Sequence, residues 1–504
     1  MKAWIVLTAL SGMMMGAAVN AAPSIDMDYV RAIKSGGDTT VFFRGESVQA
    51  FRNPAANLTE EQIRQHLTGD ALFERNFSDD ASRFDYGLGP VFNNTSCNAC
   101  HSKDGRGALP VIPFGQEWVP LRQNEAVFLR ISIEDGVQHP KSAQNNWGAP
   151  VAVPGFSDQL FHLGSMGVRE DLPGVGQAQV WMKYEKSTFT YPDGEVVQLR
   201  KPVFKITDAY DEYFDSVTGQ TRSRLYEKDV KMGARIGTPM IGLGLLEAIK
   251  ESDILALAAR DLSSEGVSGK PNYVFDIQKS MAHDPYPVSM GRFGLKNNTP
   301  SVFHQSLGAL RGDIGVTNYA FPQESIVGTA LYDLFMQGKN RPTMVEASRE
   351  VSDDLVFYSQ TLAVPARRNV DEAEIVRGAN LFHQVSCTSC HQPSFVTGDH
   401  ANPAFRNQKI YPFTDMLLHD MGEGLADGRQ DFDATGYEWK TRPLWGLGHT
   451  QTINPRAGFL HDGRARTIEE AILWHGGEAE FSKSNFAKLP RADRTALIQF
   501  IRSL

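Results

Sequence analysis

Apolar side chains at Ile375, Ala379 and Phe382 recur at helical spacing through residues 371–382, with Gly378 among them, which predicts a helix there. The same stripe returns at the end of the chain, where Leu497, Phe500, Ile501 and Leu504 keep the i, i+3, i+4, i+7 pattern. Residues 352–364 read as a further helix, and Thr467-Ile468-Glu469-Glu470 has the form of a capping box that starts another. On that last helix Ile468, Ala471, Ile472 and His475 share one face, so His475 points toward the core. The period changes in the middle of the chain. Residues 178–184 and 195–204 are rich in β-branched and aromatic side chains and flank Tyr191-Pro192-Asp193-Gly194, where Pro presets φ for a turn and Gly accepts a positive φ. A β-hairpin is predicted there.

Composition narrows the class. With 41% hydrophobic and 10% aromatic residues in 504, the chain has material for real cores, and disorder is not the default. The net charge of −9 comes from scattered acids and leaves no basic stripe, so nucleic acid drops out as a partner. Residues 1–22 begin Met1-Lys2, pass through an apolar run and end in Val19-Asn20-Ala21, the form of a cleaved signal peptide. The rival reading is a membrane anchor, but the run is near the lower length limit for a span and rich in Gly, Ala and Ser. No later stretch is apolar enough to cross a bilayer. The expectation is export to the periplasm, with no stable membrane span.

All four cysteines lie in two strings, Cys97-Asn98-Ala99-Cys100-His101 and Cys387-Thr388-Ser389-Cys390-His391, which leaves none for disulfides. In C-x-x-C-H the two thiols add to the vinyl groups of a haem and the adjacent His is delivered to its iron, so spacing and order both matter. A zinc site would want further ligands at regular spacing, and a redox pair would not require the His. Two covalently attached c-type haems are therefore read from the sequence. Gly69-Asp70-Ala71-Leu72-Phe73 ahead of the first string echoes Gly378-Ala379-Asn380-Leu381-Phe382 ahead of the second, so the two halves read as diverged repeats. Residues 105–290 are too many for a connection within a small cytochrome unit and read as an elaboration of the first. Residues 365–369, Pro-Ala-Arg-Arg-Asn, read as the link. The expected fold is mainly α, with two cytochrome c-like haem domains: residues 23–365, carrying the hairpin-containing insertion, and residues 366–504.

A six-coordinate haem passes electrons, whereas one with an open position binds peroxide or oxygen, so the residue opposite each proximal His decides the chemistry. His475 is the first candidate for the second haem, with His419, His461, Met416 and Met421 competing; each of these is equally readable as a core or propionate-contacting residue. For the first haem no similarly placed ligand stands out; Met166, Met240, His162 and His304 are the alternatives to ordinary core residues.

The chain also resembles the di-haem oxidoreductase family once labelled thiol oxidoreductase-like, related to bacterial di-haem cytochrome c peroxidases. The resemblance rests on Gly87-Leu88-Gly89-Pro90-Val91-Phe92, Gly242-Leu243-Gly244-Leu245-Leu246-Glu247-Ala248-Ile249, Gly291-Arg292-Phe293-Gly294 and Leu418-His419-Asp420-Met421-Gly422. It continues through Pro443-Leu444-Trp445-Gly446-Leu447-Gly448, Leu460-His461-Asp462-Gly463-Arg464-Ala465 and His475-Gly476-Gly477-Glu478-Ala479. It implies a reactive first haem and a second that relays electrons from outside. His461 precedes His475 by 14 residues, the count the peroxidases keep before their distal Met, which implies His391 and His475 as axial ligands of a low-potential second haem. It also implies an acid over the reactive iron. Asp313 is the candidate, against a solvated turn in Arg311-Gly312-Asp313, and Glu247 is the second, against a capping or water-facing acid. Leu295 stands where relatives carry an aromatic residue between the haems, and Phe293 or Trp445 could take that place. The thiol of the older label has no support, since every cysteine is spent on haem. A calcium ion between the domains, held by acids in residues 415–433, is a further implication, solvated acids being the alternative.

Three functions follow as expectations. The first is a peroxidase-type oxidoreductase taking electrons from a small redox protein or a quinol-linked donor. The second is an electron carrier with both irons six-coordinate and no substrate. The third is oxidation of an organic or protein substrate.

Overall fold

The computed structural model describes residues 27–43, 45–80, 82, 83, 85–134, 141–165, 167–337 and 345–504; the signal-peptide reading of residues 1–22 lies outside them. The helices that place the site are α1 (Glu60–Glu74), α2 (Cys97–Cys100), α3 (Val302–Asp313), α4 (Arg349–Thr361), α5 (Ala373–Gln384), α6 (Ile468–Leu473) and α7 (Arg491–Ser503). Among the described residues no helix is long and apolar enough to cross a membrane.

Two helix pairs are built alike. Thr59 caps α1 in a capping box with Gln62, and α1 then lies on α4. Gly69 makes that crossing close: a Cβ there would stand 2.5 Å from the Asp354 carbonyl oxygen and from Tyr358 Cβ. In the second pair α5 lies on α7, and a Cβ on Gly378 would stand 2.0 Å from the Ala496 carbonyl oxygen. Phe73 and Phe382, which close the two echoed sequence segments, face the rings of Tyr358 and Phe500 at 5.2 and 5.3 Å. Edge-on and tilted aromatic contacts of this kind anchor a core beyond the area they bury.

The middle of the chain corrects the expected fold class. Helix accounts for 32% and strand for 19%, the strand spread over many small sheets, so the fold is mixed α and β and not mainly α. The cause lies in residues 119–236, which form more than a hairpin. Strand β1 (Val127–Ile133) runs antiparallel between β5 (Val230–Ile236) and β2 (Gln159–Leu160), and Val127, Leu129 and Ile131 turn inward with 1, 1 and 0% exposure. The hairpin itself pairs β3 (Gln179–Thr190) with β4 (Val196–Thr207), twelve residues a side. A last pair, β6 (Leu418–Asp420) and β7 (Glu438–Lys440), sets His419 opposite Trp439.

The hairpin works as an arm. Its turn buries Tyr191 among Leu473, Phe486 and Leu497, and the Tyr191 hydroxyl donates to Glu469 Oε1 at 2.9 Å. Arg494 lies 3.8 Å over the Tyr191 ring and donates to Asp193 and Glu195. The chain's first described residues join the same core, where Tyr29 meets Phe413 and Phe500.

Candidate functional site

Both C-x-x-C-H strings open onto one cavity of 1160 Å³. The first forms α2, whose N-terminus is capped by the Ser96 hydroxyl accepting from Ala99 N, and Asn94 Nδ2 donates to Cys100 Sγ at 3.2 Å. The second is a tight turn over Cys387–Ser389, entered through Ser386 at φ 66°. The two histidines are oriented in the same manner. His101 donates from Nδ1 to the Thr238 carbonyl at 2.6 Å, and His391 from Nδ1 to the Phe413 carbonyl at 2.9 Å. A carbonyl can only accept, so each imidazole carries its proton on Nδ1 and keeps the Nε2 lone pair for a metal. Burial pushes both rings down to about 4, which holds them neutral. Phe73 meets His101 at 6.2 Å and 53°, and Phe382 meets His391 at 6.3 Å and 53°.

The cavity wall fits haem in its charges as well. Lys440, Arg442 and Arg106 have no carboxylate partner among the described residues. Arg106 donates to the carbonyls of Gly458 and Leu460, Lys440 to that of Arg292, and Arg442 to no protein group. Burial lowers all three, Arg442 to about 10 and Arg106 to about 9. Enclosed cations without counter-charge are costly, and haem propionates are anions of the right kind to complete them.

His475 also lines the cavity, near enough to His391 for its charge to be felt there. Its Nδ1 donates to the Ala471 carbonyl at 2.7 Å, one turn back, so its Nε2 is likewise left for a ligand. His419 and His461 line the cavity as well, but other side chains engage them. His419 places Nε2 2.8 Å from Asp415 and Nδ1 2.7 Å from Glu478, and although burial opposes it, the Asp415 carboxylate and the Cys390 sulfur hold the ring well above the usual histidine range, a cation with no lone pair to offer. His461 lies flat on Trp439 at 3.8 Å and 13°. Met416 is packed in the core, whereas Met421 does reach the cavity wall.

Beside the first string the wall is polar. Asp313, the last residue of α3, lines the cavity, and its charge adds to burial in raising the Cys97 and Cys100 thiols to about 12. Burial raises the Asp313 carboxyl, against the pull of Arg130, and Gln159 Nε2 donates to its Oδ1 at 2.7 Å. Met240 and His304 share this wall; His162 instead hydrogen-bonds Asn93, and Met166 lies outside the described residues. Glu247 is not on the wall. Its carboxylate accepts from Val302 N, Gln360 and His400, tying the start of α3 to α4.

The acids expected for calcium are otherwise occupied. Asp415 pairs with His419, Asp427 with Arg235 and Lys296, and Asp431 with Arg429. Phe293, Leu295 and Trp445 all line the cavity. So does Trp439, which sequence reasoning missed; beside its stack on His461 it has Lys296 Nζ 4.5 Å and Arg235 Cζ 4.7 Å from its ring. Arg442 and Gln159 were missed too, and no spacing in the sequence singles out any of the three.

Two matched haem-binding strings on one cavity, each with a histidine oriented for iron, define a two-centre haem redox protein. The chain belongs to the family described as "Di-haem oxidoreductase, putative peroxidase", which it matches over residues 29–504. It is a di-haem oxidoreductase. No curated protein matches it. Among solved structures it is similar to a hydrazine synthase of Kuenenia stuttgartiensis, studied under xenon pressure, at 18% identity over 37% of this chain and 65% of that one; the TM-score is 0.21, and the likeness carries no argument.

Proposed function

We propose that this chain is an exported, peroxidase-type di-haem enzyme, with residues 23–365 around a reactive centre and residues 366–504 around an electron-relay centre. Cys97 and Cys100 would hold one haem covalently with His101 as proximal ligand, and Cys387 and Cys390 the other with His391. His475 would complete the second iron, leaving the first open. When bound, the two haems supply the electrons that reduce peroxide, drawn from a small redox protein or a quinol-linked donor in the periplasm.

The observation that carries the reading is Asp313. It is an enclosed carboxyl, held by Gln159, whose charge reaches both thiols of the first string. Its raised pKa suits it to take the peroxide proton and return it to the departing oxygen as water forms. Arg106, Lys440 and Arg442 would hold propionates. Calcium is left out of the proposal, because the acids concerned are already paired.

The test is an electron paramagnetic resonance spectrum of the oxidised, haem-loaded protein, before and after hydrogen peroxide, on wild type and His475→Ala. The expected result is a high-spin signal in the wild type that peroxide consumes, and a second high-spin species in the variant. Low-spin signals alone, unmoved by peroxide even after partial reduction, would overturn the peroxidase reading and leave an electron carrier.

A further inference from the structure

The length of α3 that lines the cavity includes three residues with small or no side chains. His304 stands near its start and Asp313 at its end, nine residues and hence about 13 Å apart along the axis. Between them Gly308, Ala309 and Gly312 line the cavity, with Gln305, Ser306, Leu310 and Arg311 also on its wall.

Neither glycine is required by packing. A Cβ on Gly308 would meet nothing closer than 3.8 Å, and one on Gly312 nothing within 4 Å. Both have helical backbone, where glycine is less favourable than alanine. Two such residues spaced one turn apart keep a trough open that ordinary side chains would close.

The far end of the trough is furnished for a ligand. The His304 imidazole lies between the rings of Phe275 and Phe321, at 6.1 and 5.6 Å. It lines the cavity, yet neither ring nitrogen bonds a described residue, and Nδ1 is buried without a partner. Burial lowers it to about 4, so it is a neutral group suited to an uncharged hydrogen-bonding partner. The trough thus runs along α3 from Asp313 to His304, both on the wall of the cavity that holds the first string.

We propose that this trough holds the organic part of an uncharged alkyl or aryl hydroperoxide, with its O–O group at Asp313 and its body running along Gly312 and Gly308 toward Phe275, Phe321 and His304. This rests on the peroxidase reading and names its substrate class. The reaction is ROOH + 2 H⁺ + 2 e⁻ → ROH + H₂O. The O–O bond breaks, Asp313 passes the hydroperoxide proton to the alkoxy oxygen, and the alcohol leaves along the trough. The other oxygen leaves as water with two protons from solvent, one of which restores the balance left by the transferred proton, and the two electrons come from the external one-electron donor.

The test uses the haem-loaded full chain with cumene hydroperoxide and hydrogen peroxide as alternative substrates, and 2-phenylpropan-2-ol as a product probe in calorimetric titration. Gly308→Leu fills the trough while improving the helix, and His304→Phe removes its polar end. The expected result is turnover of cumene hydroperoxide at a kcat/KM at least equal to that of hydrogen peroxide. In Gly308→Leu the ratio of the two kcat/KM values should fall at least tenfold and alcohol binding weaken at least tenfold, with the resting paramagnetic resonance spectrum unchanged; His304→Phe should weaken alcohol binding about threefold or more. Turnover of hydrogen peroxide alone would overturn this inference and spare the peroxidase reading, whereas turnover of neither would overturn both. An unchanged ratio in Gly308→Leu, or a shifted resting spectrum showing that haem itself fills the space, would also overturn it.

Discussion

The two string-bearing regions share a proximal half and differ in what faces it. In each, a helix crosses another through a glycine, Gly69 or Gly378, and ends in a phenylalanine set at 53° to the string histidine. In each, that histidine spends Nδ1 on a backbone carbonyl. The opposite walls diverge. The first presents Asp313 bound to Gln159 near Arg130, and the second presents His475 on the apolar stripe of Ile468, Ala471 and Ile472. Even the aromatic partners differ, since Tyr358 donates toward Asp70 and Asp104 where Phe500 offers only its ring, with Arg367 5.3 Å above it. On the proposed reading, a repeated scaffold would fix iron delivery and the unrepeated residues facing it would set the role of each centre.

The sharpest way to break that division is Asp313→Asn. Loss of a positioned acid–base group costs typically 10²–10⁴ in rate, so kcat/KM for peroxide should fall by about 10³, roughly 4 kcal/mol of transition-state stabilisation. The resting spectrum of the second centre should not move. Equal effects of Asp313→Asn and His475→Ala on peroxide binding would mean that the walls are not specialised. The scaffold claim has its own test in Gly378→Ala and Gly69→Ala. Each new methyl would press on backbone, at 2.0 and 2.5 Å, and overpacking costs typically 1–3 kcal/mol, so the unfolding free energy from denaturant titration should drop by about 3 and about 2 kcal/mol respectively. Tolerance of alanine at either site would mean that the two crossings are not equivalent.

One buried histidine from each region should also respond to pH with opposite sign. His66, beside α4, is buried against Thr361 and pushed down to about 4. Its unfolded form binds a proton that the folded form refuses, so its contribution to stability is lost as pH falls from about 6.5 toward 4. His419 is raised, so its contribution is full below about 6.5 and is lost as pH climbs through its higher folded value. Denaturation midpoints against pH should therefore show a shallower acid limb in His66→Gln and a shallower alkaline limb in His419→Gln.

What the sequence revealed follows the same line. The proximal parts were legible because covalent chemistry and helix crossing impose spacing: the strings, the glycine–phenylalanine echo, and His475 on its apolar stripe. The opposing walls were assembled from distant segments, and spacing says nothing about such meetings. Gln159 meets Asp313 across 154 residues, and Arg442 is read as a propionate partner only once it is seen unpaired on a cavity wall. Glu247 shows the converse, an acid in a suggestive motif that serves as a knot between helices. The mainly α expectation failed because Val127–Ile133 is too short and too apolar for period alone to tell strand from helix.

The smallest expected effect probes how independent the regions are. The β3–β4 arm rises from the first region and touches the second through Tyr191, whose hydroxyl reaches Glu469 on α6, the helix that leads to His475. Tyr191→Phe removes that one oxygen and leaves the ring in its cluster beneath Arg494, so the change isolates a hydrogen bond to a charged partner. Such bonds are worth about 1.5–3 kcal/mol, and part of the loss returns as Glu469 regains water, so a drop of about 1–2 kcal/mol is expected. The low-spin signal of the second centre should broaden as α6 loosens, while the high-spin signal of the first stays fixed, because the arm's tip contacts nothing on the first wall. A matching change at both centres would show that the arm couples them, and the two walls would then have to be treated as one electrostatic unit.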